Sequence, residues 1–181
     1  MLGIDISEAM IEIARQKAPG AEFRVGSLFE AELPTCDAIT AVSEVLNYLF
    51  DPENEERGLE GVFGRVHEAL RTGGIFVFDV LGPGQVPPGT TARGHRVDED
   101  WAVLSEREED AGRGTMERRI VSFRNFGEHY RREDEVHRVR LYEPEEVAGR
   151  LEWTGFEVRT MASYGGHPLG ENHAAFVARR L

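Results

Sequence analysis

The chain has little cysteine, little lysine and no long apolar run. Cys36 is its one cysteine, which excludes an internal disulfide framework and predicts an inert thiol. No apolar stretch approaches the roughly 18–20 residues that span a bilayer. Residues 1–5 have neither the basic n-region nor the long apolar h-region of a signal peptide. These absences favour a cytoplasmic protein with no membrane partner.

Positive charge is also scarce, because the formal net charge is -12. An acidic chain repels the phosphate backbone, so a nucleic-acid partner is not expected. The pairs Arg118-Arg119 and Arg131-Arg132 are interleaved with acids, which predicts a solvated surface of ion pairs. His129 lies eight residues before His137, a spacing that does not indicate a metal site.

What is present is an alternation of strands and helices. The length of 181 residues and the 40% hydrophobic content suit one domain with a buried core. Strands are predicted at 2–5, 21–25, 37–42 and 75–80, with helices after Ser7 and from about 54 to 70. The strand at 75–80 is apolar on both faces and follows a break at residues 72–74. This β-α-β order predicts a mostly parallel sheet with helices on both faces.

The second half has a different pattern. Residues 81–91 are rich in glycine and proline and predict a loop. Three charged segments, 101–107, 116–126 and 129–142, then predict an antiparallel meander with one wet face. A helix opens at Pro144 and ends at Gly155. Strands at 156–162 and 173–179 close the chain as a loose hairpin. We therefore expect a single domain over 1–181, with residues 85–142 as a cap inserted into it.

Five stretches, in this order and spacing, resemble motifs of the class I, Rossmann-like methyltransferases that depend on S-adenosylmethionine (SAM). The layout is most similar to small-molecule and amino-sugar N-methyltransferases. The resemblance implies an α/β fold whose mostly parallel sheet ends in an antiparallel strand, with SAM as the cofactor. The matching stretches are Gly3-Ile4-Asp5-Ile6-Ser7 with Met10 and Ala14-Arg15, Val25-Gly26-Ser27, Cys36-Asp37-Ala38-Ile39 to Asn47-Tyr48-Leu49, Leu70-Arg71-Thr72-Gly73-Gly74, and Glu145-Glu146 to Gly155-Phe156.

The resemblance places one part of the cofactor site at the end of the second family strand. There Asp5 would accept hydrogen bonds from both ribose hydroxyls of SAM. Ile6 and Met10 would flank the adenine ring. Two alternatives stay open: Asp5 could simply cap the helix together with Ser7, and Met10 could be a core residue.

The next family strand supplies the other adenine contacts. Family members usually carry Asp at the position of Ser27, so recognition here would depend on backbone groups of Ser27 and Leu28. Gly26 and Ser43 complete the cofactor-binding residues that the resemblance implies.

The acceptor side is predicted from two further segments. Glu44, Asn47 and Tyr48 follow the fourth family strand, at the open end of the fold where cofactor and substrate meet. His137 lies in a stretch that resembles N-methyltransferases whose histidine faces the substrate. We predict Tyr48 and His137 as the catalytic residues, with His137 receiving a proton. The alternatives are a lining role or a surface position for His137, and simple packing for Tyr48.

One family feature is missing from the sequence. Family members begin with a strand and a glycine-rich E-x-G-x-G-x-G loop, whereas this chain begins one strand later. Gly82-Pro83-Gly84 is no substitute, because it follows the fifth family strand. We expect a truncated gene product that is inactive alone, and a naturally short, non-catalytic relative is the alternative.

The predicted function is SAM-dependent methyl transfer to a small molecule, on nitrogen or oxygen. A non-catalytic relative, or a fragment without the cofactor loop, is the first alternative. An NAD-dependent oxidoreductase is the second, since Asp5 would also suit a dinucleotide ribose. The closing hairpin with its antiparallel last strand argues against that second alternative.

Overall fold

The computed structural model describes the backbone of residues 1–181 and every side chain except those of residues 52, 53 and 55–57. The helices are α1 (Glu8–Lys17), α2 (Pro52–Ala69) and α3 (Pro144–Trp153), with a short 3₁₀ helix at Val45–Asn47. The strands are β1 (Leu2–Asp5), β2 (Glu22–Val25), β3 (Cys36–Ala41), β4 (Leu70–Leu81), β5 (Ala92–Val97), β6 (Trp101–Asp110), β7 (Thr115–Phe126), β8 (His129–Arg140), β9 (Phe156–Met161), β10 (Ser163–Tyr164), β11 (His167–Pro168) and β12 (His173–Arg180).

The central sheet has the strand order β3-β4-β12-β9. β3 runs parallel to β4, whereas β12 runs antiparallel to both β4 and β9. β12 is therefore the reversed strand, as predicted. β1 and β2 pair in parallel as a separate two-stranded sheet. Within the described backbone, β1 pairs only with β2 and β3 only with β4, so each has one unpaired edge.

Aromatic side chains fill the core between the central sheet and α2. The ring of Phe78 stacks on Phe76 with centroids 4.5 Å apart and on Phe176 with centroids 4.9 Å apart. Phe63 of α2 packs against the same ring at 5.6 Å. All four side chains are buried. Burial of each contributes on the order of 1.5–3 kcal/mol, so this cluster anchors the sheet on which the site is built.

The meander is a four-stranded antiparallel sheet in the order β5-β6-β7-β8. The prediction of an antiparallel meander from 101 to 142 is confirmed. β5 extends it by a strand that was not predicted, because Ala92–Val97 lacks alternating apolar residues. Met116 and Val139 are buried on one face, in a second core cluster with Leu81. This cluster joins the meander to the end of β4.

The start of β4 also differs from the prediction. The strand begins at Leu70, which pairs with Cys36, rather than at Ile75. Gly73 has a φ of +80°, and the register shifts between Cys36 and Ala38. The Gly73-Gly74 turn is therefore an irregularity inside the strand and not a break before it.

No helix in the described part of the chain is long and apolar enough to cross a membrane. No group of three or more His, Cys, Asp or Glu side chains that could hold a metal ion occurs among these residues.

Candidate active site

The carboxyl end of β1 presents an acid flanked by exposed apolar side chains. Oδ1 of Asp5 accepts a hydrogen bond from the backbone N–H of Ser7 at 2.8 Å, and Oγ of Ser7 accepts from the N–H of Met10. Ile6 is 41% exposed and Met10 53% exposed. Met10 is thus not a core residue, and that alternative is wrong. Asp5 does support the helix start, although this contact occupies only Oδ1.

The turn after β2 lies beside this acid. The N–H of Gly26 donates to the backbone oxygen of Asp5 at 3.0 Å. Oγ of Ser27 accepts from the N–H of Phe29, so the serine side chain stabilises its own turn. Arg65 of α2 donates to the carbonyl oxygens of Leu28 and Phe29. These contacts dock the turn on α2 and fix the backbone that is predicted to meet adenine.

A left-handed turn follows β3. Ser43 has a φ of 71° and Glu44 a φ of 58°, values that are uncommon for residues other than glycine. Both backbone N–H groups donate to the buried carboxylate of Asp79, at 3.1 Å and 2.5 Å. The turn therefore places Ser43 and Glu44 at the carboxyl end of β3.

Tyr48 and His137 come together although they are 89 positions apart in the sequence. A β-bridge joins Tyr48 to Val139, and the two rings meet edge to face with centroids 5.7 Å apart. Nε2 of His137 lies 2.9 Å from the Glu135 carboxylate. Nδ1 is buried and has no hydrogen-bond partner among the described residues. With its proton on Nε2, the ring keeps a lone pair on Nδ1.

The phenol of Tyr48 is held in its neutral form. Burial raises the pKa of Tyr48, and the nearby Glu44 carboxylate raises it further, while the Arg118 guanidinium opposes both. A phenol with a raised pKa keeps its proton near neutral pH. Tyr48 can therefore offer an O–H group to a ligand but is not suited to act as a base.

Asn47 ties this segment to both sheets. Its side chain is fully buried. Nδ2 donates to the carbonyl oxygens of Leu81 at 3.0 Å and Arg140 at 2.6 Å, and Oδ1 accepts from the N–H of Leu81 at 3.1 Å. One amide thus fixes the segment of Tyr48 against the ends of β4 and β8.

A polar pocket of about 350 Å³ lies between the meander and the carboxyl end of β4. Glu44 and Arg118 form an ion pair at 3.1 Å on its wall, with side chains 19% and 20% exposed. In the meander register Arg118 lies between Arg107 and His137, so the three share one face. The lining residues are Glu44, Leu81, Gly84, Gln85, Arg107, Arg118, Gly170, Glu171, Asn172 and His173.

The predicted surface of ion pairs is confirmed at three of its four arginines and wrong at the fourth. Arg119 pairs with Glu117, and Arg131 and Arg132 pair with neighbouring acids on the exposed surface, as predicted. The prediction is wrong for Arg118, because this side chain turns to the other face and pairs with Glu44. The period of two along a strand separates Arg118 from Arg119 and was the signal that could have shown this.

Two residues of the site were missed from the sequence. Asp79 stands inside the apolar run 75–80, and a single acid in such a run was an available signal. Tyr164 donates its O–H to Oδ2 of Asp79 at 2.9 Å, and no local pattern indicated that contact. Burial raises the pKa of Tyr164, and the bond to Asp79 raises it further.

Known proteins share the fold on which this site is built. Residues 1–74 match the family model described as Methyltransferase domain. A Geobacillus sp. (strain WCH70) protein that carries a provisional methyltransferase name is 28% identical over 172 residues, which are 86% of this chain and 64% of that protein. A SAM-dependent methyltransferase from Clostridium acetobutylicum ATCC 824 superposes with a TM-score of 0.83 at 20% identity, over 99% of this chain and 74% of that one. The SAM-bound amino pentose methyltransferase CalS10 of Micromonospora echinaspora superposes with a TM-score of 0.75 at 19% identity, over 99% and 73%.

The fold is therefore that of the class I SAM-dependent methyltransferases, and the predicted resemblance is confirmed. The chain spans less than two thirds of the length of the curated relative. The roles of individual site residues stay predictions. So does the expectation that the chain lacks a family strand.

Proposed function

We propose that the protein transfers a methyl group from SAM to a small-molecule acceptor, on nitrogen or oxygen. The observation that carries this proposal is the exposed group of Asp5, Ile6 and Met10 at the end of β1, inside the segment that matches the methyltransferase family model. CalS10 acts on an amino pentose, which favours nitrogen in a polar acceptor as the methylated atom.

The residues at β1 and β2 fit the adenosine part of SAM. Asp5 is an exposed acid, and only its Oδ1 has a hydrogen bond. Ile6 and Met10 offer uncovered apolar surface for a flat ring. SAM, when bound, supplies an electrophilic methyl group on a sulfonium. Asp5 would accept from the ribose hydroxyls, and the backbone of Ser27 and Leu28 would meet the adenine edge.

The acceptor side follows from Tyr48 and His137. An amine attacks the methyl group with its lone pair and must then lose a proton. The imidazole of His137, which Glu135 contacts at Nε2, would receive that proton. The neutral Tyr48 O–H would orient the acceptor by a hydrogen bond. Positioning of donor and acceptor in line supplies much of the rate in such a displacement.

An assay of acceptor-dependent turnover tests the proposal. Because the 181 residues contain no E-x-G-x-G-x-G loop, the assay uses the chain alone and a version in which such a strand and loop precede Met1. S-adenosylhomocysteine release is measured with a panel of amino sugars, simple amines and the matching alcohols. We expect turnover with at least one amine in the loop-bearing version. Tight SAM binding without turnover of any acceptor would instead indicate the non-catalytic relative.

Replacement of His137 by glutamine should lower kcat in the active version by about 10²–10⁴-fold, the usual range for loss of a general base. The reason is that glutamine retains polarity but cannot take up the proton. His129→Gln is the matched control, since His129 is exposed on the same strand, and it should leave kcat unchanged. Equal kcat values for His137→Gln and the unmodified enzyme would leave His137 with a lining role only.

A further inference from the structure

One buried carboxylate, that of Asp79, contacts the turn that carries Ser43 and Glu44. Asp79 is 2% exposed and lies near the carboxyl end of β4, an inner strand of the central sheet. Its Oδ2 accepts from the N–H of Ser43 and from the O–H of Tyr164, and its Oδ1 accepts from the N–H of Glu44. His173 also faces it, with Nε2 3.8 Å from Oδ1. Three donors from two distant segments thus converge on one side chain.

The backbone conformation that Asp79 stabilises is energetically unfavourable. Ser43 and Glu44 are consecutive, and both have positive φ values. L-residues avoid this region because Cβ crowds the backbone, so it persists only where surrounding contacts enforce it. Hydrogen bonds to a charged acceptor are among the stronger ones, and here two of them fix adjacent peptide groups. The carboxylate therefore stabilises the turn, together with the hydrogen bond from the Asn47 N–H to the Glu44 carbonyl oxygen.

The turn places two different parts of the site. Ser43 is one of the residues predicted to contact the cofactor. Glu44, the next residue, points to the polar pocket and pairs with Arg118 of the meander. That pair connects the central sheet to the meander across the pocket wall. A change in the turn would move both residues at once.

We propose that Asp79 is a positioning residue that couples the cofactor side of the site to the acceptor side. Its carboxylate fixes the left-handed turn, which sets Ser43 toward the cofactor and Glu44 against Arg118. Tyr164 joins the β10-β11 hairpin to the same carboxylate of Asp79. The coupling of two half-sites rests on the proposed function, whereas the control of the turn by Asp79 does not.

The experiment uses the 181-residue chain and hydrogen exchange of backbone amides, measured by NMR. Asp79→Asn replaces one acceptor oxygen by an NH₂ group that opposes an N–H. We expect exchange at Ser43 and Glu44 to become at least about tenfold faster, since these amides lose a charge-assisted partner. The phenol pKa of Tyr164, followed by ultraviolet absorbance, should fall toward its ordinary value because only burial still raises it.

Two further variants separate positioning from a general structural role. Tyr164→Phe removes one donor but keeps both amide contacts, so exchange at Ser43 and Glu44 should stay slow. Ser43→Gly, added to Asp79→Asn, should slow exchange at Glu44 again in part. Glycine adopts the positive φ without the Cβ penalty, and the amide oxygen introduced by Asp79→Asn can still accept from that N–H. Unchanged exchange in Asp79→Asn would overturn the proposal. So would a loss of protection throughout the central sheet that Ser43→Gly does not restore. Neither result depends on methyl transfer.

Discussion

Replacement of Asn47 by alanine is expected to lower the free energy of unfolding by about 3–5 kcal/mol. The amide makes three hydrogen bonds to the backbone of Leu81 and Arg140. Alanine would leave the N–H of Leu81 and the carbonyl oxygen of Arg140 without this partner, and each unpaired buried group costs about 1–3 kcal/mol. The carbonyl oxygen of Leu81 keeps a hydrogen bond from the N–H of Tyr142. Denaturant unfolding followed by circular dichroism measures the change.

Asn125→Ala is the matched control for this substitution. Asn125 lies on β7, half-buried, and its Oδ1 has no hydrogen-bond partner among the described residues. Its removal should change the free energy of unfolding by no more than about 0.5 kcal/mol. A similar small effect for Asn47→Ala would mean that the Asn47 amide does not contribute to holding the meander on the central sheet.

Replacement of Asp5 by alanine should weaken SAM binding by about 1.5–3 kcal/mol, the range for hydrogen bonds to a charged group. This corresponds to roughly 10–150-fold in Kd. The measurement is calorimetry on the loop-bearing version. Asp37→Ala is the control, since Asp37 is an exposed acid on β3 that pairs with Arg71 of β4. Unchanged affinity in Asp5→Ala would remove Asp5 from the ribose role.

Asp5 also accepts from the N–H of Ser7, so the alanine variant loses a helix-start contact as well. Asp5→Asn separates the two effects, because the amide oxygen can still accept from Ser7 while the charge is lost. Thermal unfolding reports the helix contact and calorimetry reports the ligand contact. We expect Asp5→Asn to retain stability and still bind SAM more weakly.

Much of the fold could be predicted because its signals are local. The apolar run 75–80 indicated a buried strand, and Ser7 and Gly155 marked where helices begin and end. Gly155 has a φ of +102°, which explains why a glycine stands there. β5 was not predicted, because Arg93-Gly94-His95-Arg96 contains no apolar alternation. That strand forms through its antiparallel pairing with β6.

The site was only partly predictable, since its contacts join distant segments. Tyr48 and His137 were each identified from the sequence. Their contact depends on the bridge from Tyr48 to Val139, which no local pattern encodes. The acid at Asp79 was visible in the apolar run 75–80, but its partners, 36 and 85 residues away, were not. The family resemblance proposed individual residues, and tertiary pairing brings Tyr48 and His137 together.

The most direct test of the central claim is a titration of the 181-residue chain with S-adenosylhomocysteine, followed through backbone amide signals by NMR. We predict shifts concentrated at Asp5, Ile6 and Met10 and at the turn of Ser27 and Leu28, with a Kd of about 1 mM, or about -4 kcal/mol. The affinity is expected to be low because no glycine-rich loop surrounds the methionine part of the ligand. Micromolar affinity would contradict this account of the missing loop. No shift at Asp5, Ile6 and Met10 at a concentration well above 1 mM (~10 mM) would contradict the adenosine site itself.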